Sequence, residues 1–213
     1  RGTYDSSLSY HFKSLEIRES EGDRKSIGTV LNNIGLVYYR LKNFEQALQY
    51  YLRSLSIKNE LNDNTDTDKI LTNVGLCYDQ LGQSKEALVS FNKALATCGN
   101  ACSEQVKKDA YHGMGLAQFN LKDFDNAQKN FKTSLEISTA IRDKEYWINN
   151  LLMLSKIESE KNDYKASLNY LSEAKQFEKE YQFAETLIDY YAEVARVYNL
   201  ISDFENASIY QGK

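Results

Sequence analysis

Leu31-Asn32-Asn33-Ile34-Gly35-Leu36-Val37-Tyr38-Tyr39-Arg40-Leu41-Lys42-Asn43-Phe44-Glu45-Gln46-Ala47-Leu48-Gln49-Tyr50-Tyr51 is the stretch that decides the fold. Apolar and small residues fall at Leu31, Ile34, Gly35, Tyr38 and Leu41, then at Phe44, Ala47, Leu48, Tyr51 and Leu55. That is the i, i+3, i+4, i+7 stripe of an amphipathic helix, not the alternation of a strand. The polar pair Lys42–Asn43 breaks the stripe, and a break that short predicts an antiparallel helical hairpin.

The hairpin returns every forty residues. An aromatic opens its second helix at Tyr4, Phe44, Phe124, Tyr164 and Phe204, with Ser84 the exception, and a small residue follows at Ser7, Ala47, Ala87, Ala127, Ser167 and Ala207. Such a period marks a solenoid, whose units bury their apolar faces only against one another. The expected helices are 4–20, 24–41, 44–61, 66–81, 84–98, 103–121, 124–141, 144–161, 164–180, 184–201 and 204 onward. They form one array over residues 1–213. Residues 1–23 are the second helix of a truncated repeat, 24–63, 64–103, 104–143 and 144–183 are full repeats, and 184–213 is a last truncated one. An array cut mid-repeat at both ends predicts a piece of a longer protein.

Gly35, Gly75 and Gly115 form a column in mid-helix, where glycine costs about 1 kcal/mol against alanine. The expectation is that the small residue of the facing helix (Ala47, Ala87 or Ala127) lets the two helices cross too closely for a Cβ. Proline is absent, as suits a chain made almost wholly of helix. The formal charge of −4, with Lys and Arg scattered, argues against a nucleic-acid partner. No apolar run approaches the ~18 residues of a membrane span, which argues against membrane insertion of this segment.

Leu31-x-x-Ile34-Gly35-x-x-Tyr38 with Ala47-x-x-x-Tyr51 resembles the tetratricopeptide repeat, as do Leu71-x-x-Val74-Gly75-x-x-Tyr78 with Ala87-x-x-x-Phe91, and Tyr111-x-x-Met114-Gly115 with Ala127-x-x-x-Phe131. The copies near 151–174 and 191–207 are more degenerate. The resemblance implies an all-α, right-handed superhelix of antiparallel helix pairs that acts as a non-catalytic module for binding proteins or peptides. The family's usual unit is about 34 residues. The longer unit here is similar to those of kinesin light chains, spindle-orientation adaptors and peptide-sensing bacterial regulators, and so points to the sensor or interaction region of a larger bacterial signalling protein.

In each repeat the first helix (helix A) turns columns away from the second (helix B), and these should line a concave groove that accepts a protein or peptide segment. The first repeat offers Asn33, Leu36, Tyr39 and Arg40; the next offers Lys69, Asn73, Leu76, Asp79 and Gln80; the third offers His112, Leu116, Phe119 and Asn120. In long-repeat relatives an asparagine just before the apolar-glycine pair binds the ligand's main chain, and Asn33 and Asn73 match it. An amide offers a donor and an acceptor, as an extended backbone does. The alternative, that both merely cap or face water, stays open. Tyr39 and Phe119 are candidate exposed anchors. The groove lacks the basic set of the carboxylate clamp, which argues against a chaperone-tail adaptor.

Cys77 falls in a column shared with Val37, Ala117, Ile157 and Val197 and reads as a small buried hydrophobe. Cys98 and Cys102 flank Gly99-Asn100-Ala101 at a joint, where a disulfide and two reduced thiols are both compatible with the spacing. The oxidised form implies an extracytoplasmic compartment, the reduced form the cytoplasm. His11 and His112 have no ligand-spaced partners, so no metal, cofactor or catalytic residue is expected. Two rivals to peptide binding remain: a self-associating or spacer scaffold that forms a homodimer, and a cytosolic peptide-responsive regulator.

Overall fold

The computed structural model describes residues 2–175 and 184–211. Among these residues the chain is all-α, with no strand. The helices are α1 (Gly2–Glu21), α2 (Arg24–Arg40), α3 (Phe44–Glu60), α4 (Thr67–Gln80), α5 (Ser84–Cys98), α6 (Glu104–Asn120), α7 (Phe124–Ala140), α8 (Lys144–Glu160), α9 (Tyr164–Lys175), α10 (Ala184–Leu200) and α11 (Phe204–Gln211). Each starts and stops within about two residues of expectation, save that the part of α9 expected over 176–180 lies outside the described residues. The chain divides into two compact units, residues 1–121 and 122–213.

The regularity comes from the turns. Lys42, Gly82, Lys122, Asn162 and Ser202 take left-handed backbone with φ of 59°, 73°, 63°, 62° and 61°, forty residues apart. Between them Gly22, Asn62 and Arg142 do the same at the joints that lead from helix B to the next helix A. At each turn the amide three residues past the helix returns to the last turn, as in Asn43 N to Tyr38 O at 3.0 Å and Asp163 N to Glu158 O at 2.9 Å. This satisfies carbonyls that the helix end would orphan. That same residue then caps the next helix: Asp23, Asn43, Asp123, Asp143 and Asp203 each accept from a backbone N–H three residues on. Each such cap contributes about 1 kcal/mol. The forty-residue repeat is therefore two copies of one step, a seventeen-residue helix and a three-residue turn.

Two joints depart from the step, and both flank the α4–α5 hairpin. Before α4, Asp63 accepts from Thr65 N at 3.0 Å and from Lys58 Nζ at 3.1 Å, with the lysine side chain almost wholly buried. These contacts, the Thr65 hydrogen bond foremost, hold the Asp63 carboxyl well below its ordinary range. Before α6, Gly99–Ala101 form a short 3-10 turn.

Gly35 and Gly75 do what was expected of them, against a different partner. A methyl group at Gly35 would stand 2.8 Å from two ring carbons of Tyr51, and one at Gly75 would stand 2.6–2.8 Å from the ring of Phe91. The small residue contributes only the backbone oxygen of Ala47, 3.2 Å from the Gly35 position. Tyr51 and Phe91 are both fully buried. In the α8–α9 hairpin of the second unit Ser155 and Ser167 take these columns. Ser155 and Ser159 each share a hydrogen bond with Ser167, at 2.7 and 2.9 Å, inside a core of Leu151, Leu171, Tyr190, Val194 and Val197.

Candidate functional site

All the groove positions lie in the first unit, on α2, α4 and α6. These A helices are held side by side: α4 packs against α6 and α2 approaches α4, while α3 and α5 lie behind. Phe91 shows how close the approach is. Its ring touches Gly75 of its own hairpin and also Gly113 of the next A helix, where a methyl group would stand 2.7 and 2.8 Å from Cε2 and Cε1.

Gly113 occupies the column of Asn33 and Asn73. A side chain there would be driven into the Phe91 ring, so the amide column ends for a steric reason. In the second unit the same column carries Glu193, buried and held by Arg196 through two hydrogen bonds of 2.9 and 2.8 Å. Asn33 and Asn73 contrast with it. Both are half-buried, and neither side-chain amide has a hydrogen-bond partner among the described residues. Partly desolvated amides left without partners are unfavourable unless water or a ligand engages them.

Between the amides the face is apolar. Leu36 is 36% exposed, and Leu76, one repeat on, is half-buried. Tyr39 is not the exposed anchor expected. Its ring packs edge-on against Phe44 at 5.3 Å between centroids and joins the core around Tyr51 and Cys77. Desolvation, reinforced by Cys77, Asp79 and Asp109, pushes its hydroxyl up to about 12. Asp79 is also sunk, only 9% exposed, where the Asn120 amide donates to Oδ1 at 3.4 Å. Burial raises the Asp79 carboxyl above its ordinary range, against hydrogen bonds from Gln80 and Asn120. The structure thus brings Tyr39, Asp79 and Asn120 together from three helices.

The other candidates stand apart from that cluster. Lys69 pairs with Asp66 at 2.6 Å at the start of α4, Arg40 is exposed at the end of α2, and His112 and Phe119 are half-buried on α6. Sequence reasoning missed the hydroxyl of Tyr51, which is fully buried beside Cys77, Tyr39 and Arg40 with no hydrogen-bond partner among the described residues. Its signal was present: the column holds phenylalanine at Phe91 and Phe131, and the added hydroxyl needs a reason.

Cys77 is fully buried, and desolvation pushes its thiol up to about 12, as fits a core residue. The sulfurs of Cys98 and Cys102 lie at bonding distance, with their Cα atoms 4.8 Å apart. Among the described residues no group of His, Cys, Asp or Glu is arranged to hold a metal ion, and no helix is long and apolar enough to cross a membrane.

Paired helices repeating every forty residues, with small–aromatic contacts between them, define a helical repeat solenoid. Residues 1–60, 26–98 and 108–140 match the tetratricopeptide repeat, more than half of the chain, and the protein belongs to that family. No curated protein sequence matches the chain. Among solved structures it is similar to BtubC (BKLC) from P. vanneervenii, with a TM-score of 0.78 and 14% identity over 97% of this chain and 87% of that one. It is similar to the apo form of RapI, with a TM-score of 0.79 and 18% identity over 98% of this chain and 57% of that one. A third is the signal transduction ATPase with numerous domains and a tetratricopeptide repeat sensor from Pyrococcus horikoshii, with a TM-score of 0.73 and 19% identity over 87% of this chain and 28% of that one. At these identities the likeness is one of fold. Tetratricopeptide repeat proteins are generally non-catalytic scaffolds for protein interaction.

Proposed function

We propose that the chain is a peptide-binding module, and that the A-helix face of α2, α4 and α6 takes an extended segment of a partner. One observation carries this reading: Asn33 and Asn73 repeat at one register with half-buried amides that nothing among the described residues engages. An extended backbone supplies the donors and acceptors they lack, and Leu36 and Leu76 supply apolar contact beside them. In the wider reading the module is the sensing or interaction region of a larger signalling protein. The sensor role of the repeats in the Pyrococcus horikoshii ATPase supports that reading by analogy of fold.

The test is selection from a random-sequence peptide display library, followed by titration of the selected peptides. Each Asn→Ala change at 33 or 73 removes hydrogen bonds worth about 1–1.5 kcal/mol together, so affinity falls roughly ten-fold per site. Equal affinity for the Asn33→Ala/Asn73→Ala protein overturns the reading. It would favour the scaffold alternative if, in addition, the protein self-associates through the apolar surface of its last helices, where Ile188, Phe204 and Ile209 are exposed.

A further inference from the structure

Asp79 presents a problem that the peptide-binding reading does not by itself solve. Its carboxylate is nine-tenths buried, accepts from the neutral amides of Gln80 and Asn120, the latter at 3.4 Å, and has no cation at ion-pairing distance among the described residues. Arg40, beside the Tyr51 hydroxyl, is exposed at the end of α2 and makes no ion pair with Asp79 among the described residues, and neither Lys69 nor Lys108 serves it. Lys69 is paired to Asp66, and Lys108 lies 3.3 Å from Asp109. Asp109 in turn accepts both of its hydrogen bonds from Gln105, at 3.2 and 3.1 Å. Burying a carboxylate is unfavourable unless a counter-charge offsets the lost hydration.

A hydroxyl beside it, and a second one next to that, are also left over. Tyr39, whose phenol feels the charge of Asp79, has no hydrogen-bond partner among the described residues, and the Tyr51 hydroxyl next to it is fully buried and orphaned. Asp79 follows Asn73 and Leu76 in steps of three on α4, so the acid sits on the face already assigned to the peptide. A buried acid with no counter-charge, beside an unused hydroxyl, is complementary to one kind of group, a positively charged nitrogen bearing several N–H donors.

We propose that Asp79, flanked by Tyr39 and Asn120, is a subsite for a cationic group of the bound segment, either a lysine or arginine side chain or a free amino terminus. The inference rests on the peptide-binding reading and deepens it by giving the ligand a charge and a place for that charge.

The peptides selected above provide the test, titrated against wild type, Asp79→Asn and Asn33→Ala/Asn73→Ala. Selected peptides are enriched in Lys and Arg, and changing the critical one to Gln weakens binding to wild type roughly ten-fold or more and leaves Asp79→Asn indifferent. If acetylating the amino terminus has that effect instead, the cation is the terminal amine. Selection with no cationic preference, or loss of the peptide charge felt equally by wild type and Asp79→Asn, overturns the subsite. The peptide-binding face survives that outcome if the asparagine variant still binds more weakly. Failure of wild type to select any peptide, or equal binding by the asparagine variant, overturns both. Should Asp79→Asn lose its helical circular dichroism, wild type alone decides. The Asp79 carboxyl carbon resonance shifts on saturation with the cationic peptide and stays in place with its neutral analogue, and no difference between the two overturns the subsite.

Discussion

The ring of Phe91 lies against the Cα of Gly113, so closely that a methyl group at Gly113 would stand 2.7 Å from Cε2 and nearer still to Cζ. One side chain from α5 thereby sets both the spacing of the A helices and the point at which the amide column stops.

Gly113→Ala tests that spacing. Alanine gains about 1 kcal/mol on helix propensity. Overpacking against a buried ring costs about 1–3 kcal/mol, so the clash wins and the urea midpoint falls. In a Phe91→Leu background the clash is relieved, and the same substitution is neutral or stabilising. A loss of stability that persists in that background would show that Phe91 is not what requires the glycine.

Asp79→Asn is expected to raise the melting temperature at neutral pH. Burial lifts the folded-state value of Asp79 above its unfolded value near 3.8. A raised carboxyl costs stability as pH climbs from that unfolded value through the folded one, and the full cost persists above it. Gln80 and Asn120 donate to this carboxyl and Tyr39 faces it, and none supplies a positive charge. The gain is therefore largest at neutral pH and vanishes below about pH 3.8. Melting curves across that range check it, and a destabilised variant at pH 7 would contradict it.

Lys58 and Asp63 behave in the opposite sense. Asp63 is held low by Thr65 and Lys58, so its contribution is present above the ordinary carboxylate range and fades as pH falls through its lowered value. Asp63→Asn leaves the buried Lys58 ammonium without its partner and lowers the melting temperature at neutral pH. Lys58→Met with Asp63→Asn recovers much of the loss, as a double-mutant cycle by thermal melting would show.

Under oxidising conditions Cys98 and Cys102 are expected to form a disulfide, closing a short loop between α5 and α6. Chain-entropy arguments give about 2 kcal/mol for so short a loop. Reductant should lower the unfolding midpoint of the wild type and leave Cys98→Ser/Cys102→Ser unchanged, with the bond itself read by mass spectrometry of the intact protein.

Helix ends were legible because the turn chemistry is written locally. Lys42–Asn43, Lys122–Asp123 and Asn162–Asp163 each place a left-handed residue before a capping side chain. The glycine column was legible as a demand for small residues, but its partner was not. Helical side chains lean toward the helix N-terminus. The rings of Tyr51 and Phe91 therefore reach back over Ala47 and Ala87 to fill the space assigned to those alanines. The columns placed Tyr39 and Asp79 on the right face, but not at their depth. Depth depends on how closely α2, α4 and α6 approach, which Gly113 and Phe91 decide from a distance in sequence. The orphaned Tyr51 hydroxyl was hidden for the same reason.

The most direct measurement is a nitrogen–proton spectrum of the labelled protein, titrated with a library-selected peptide and watching the side-chain amide pairs of Asn33 and Asn73. Both pairs are predicted to shift saturably and in step, together with backbone amides of α2, α4 and α6. If the two pairs stay in place while the shifts gather on α3 and α5 or in residues 122–213, the A-helix face is not where the peptide binds.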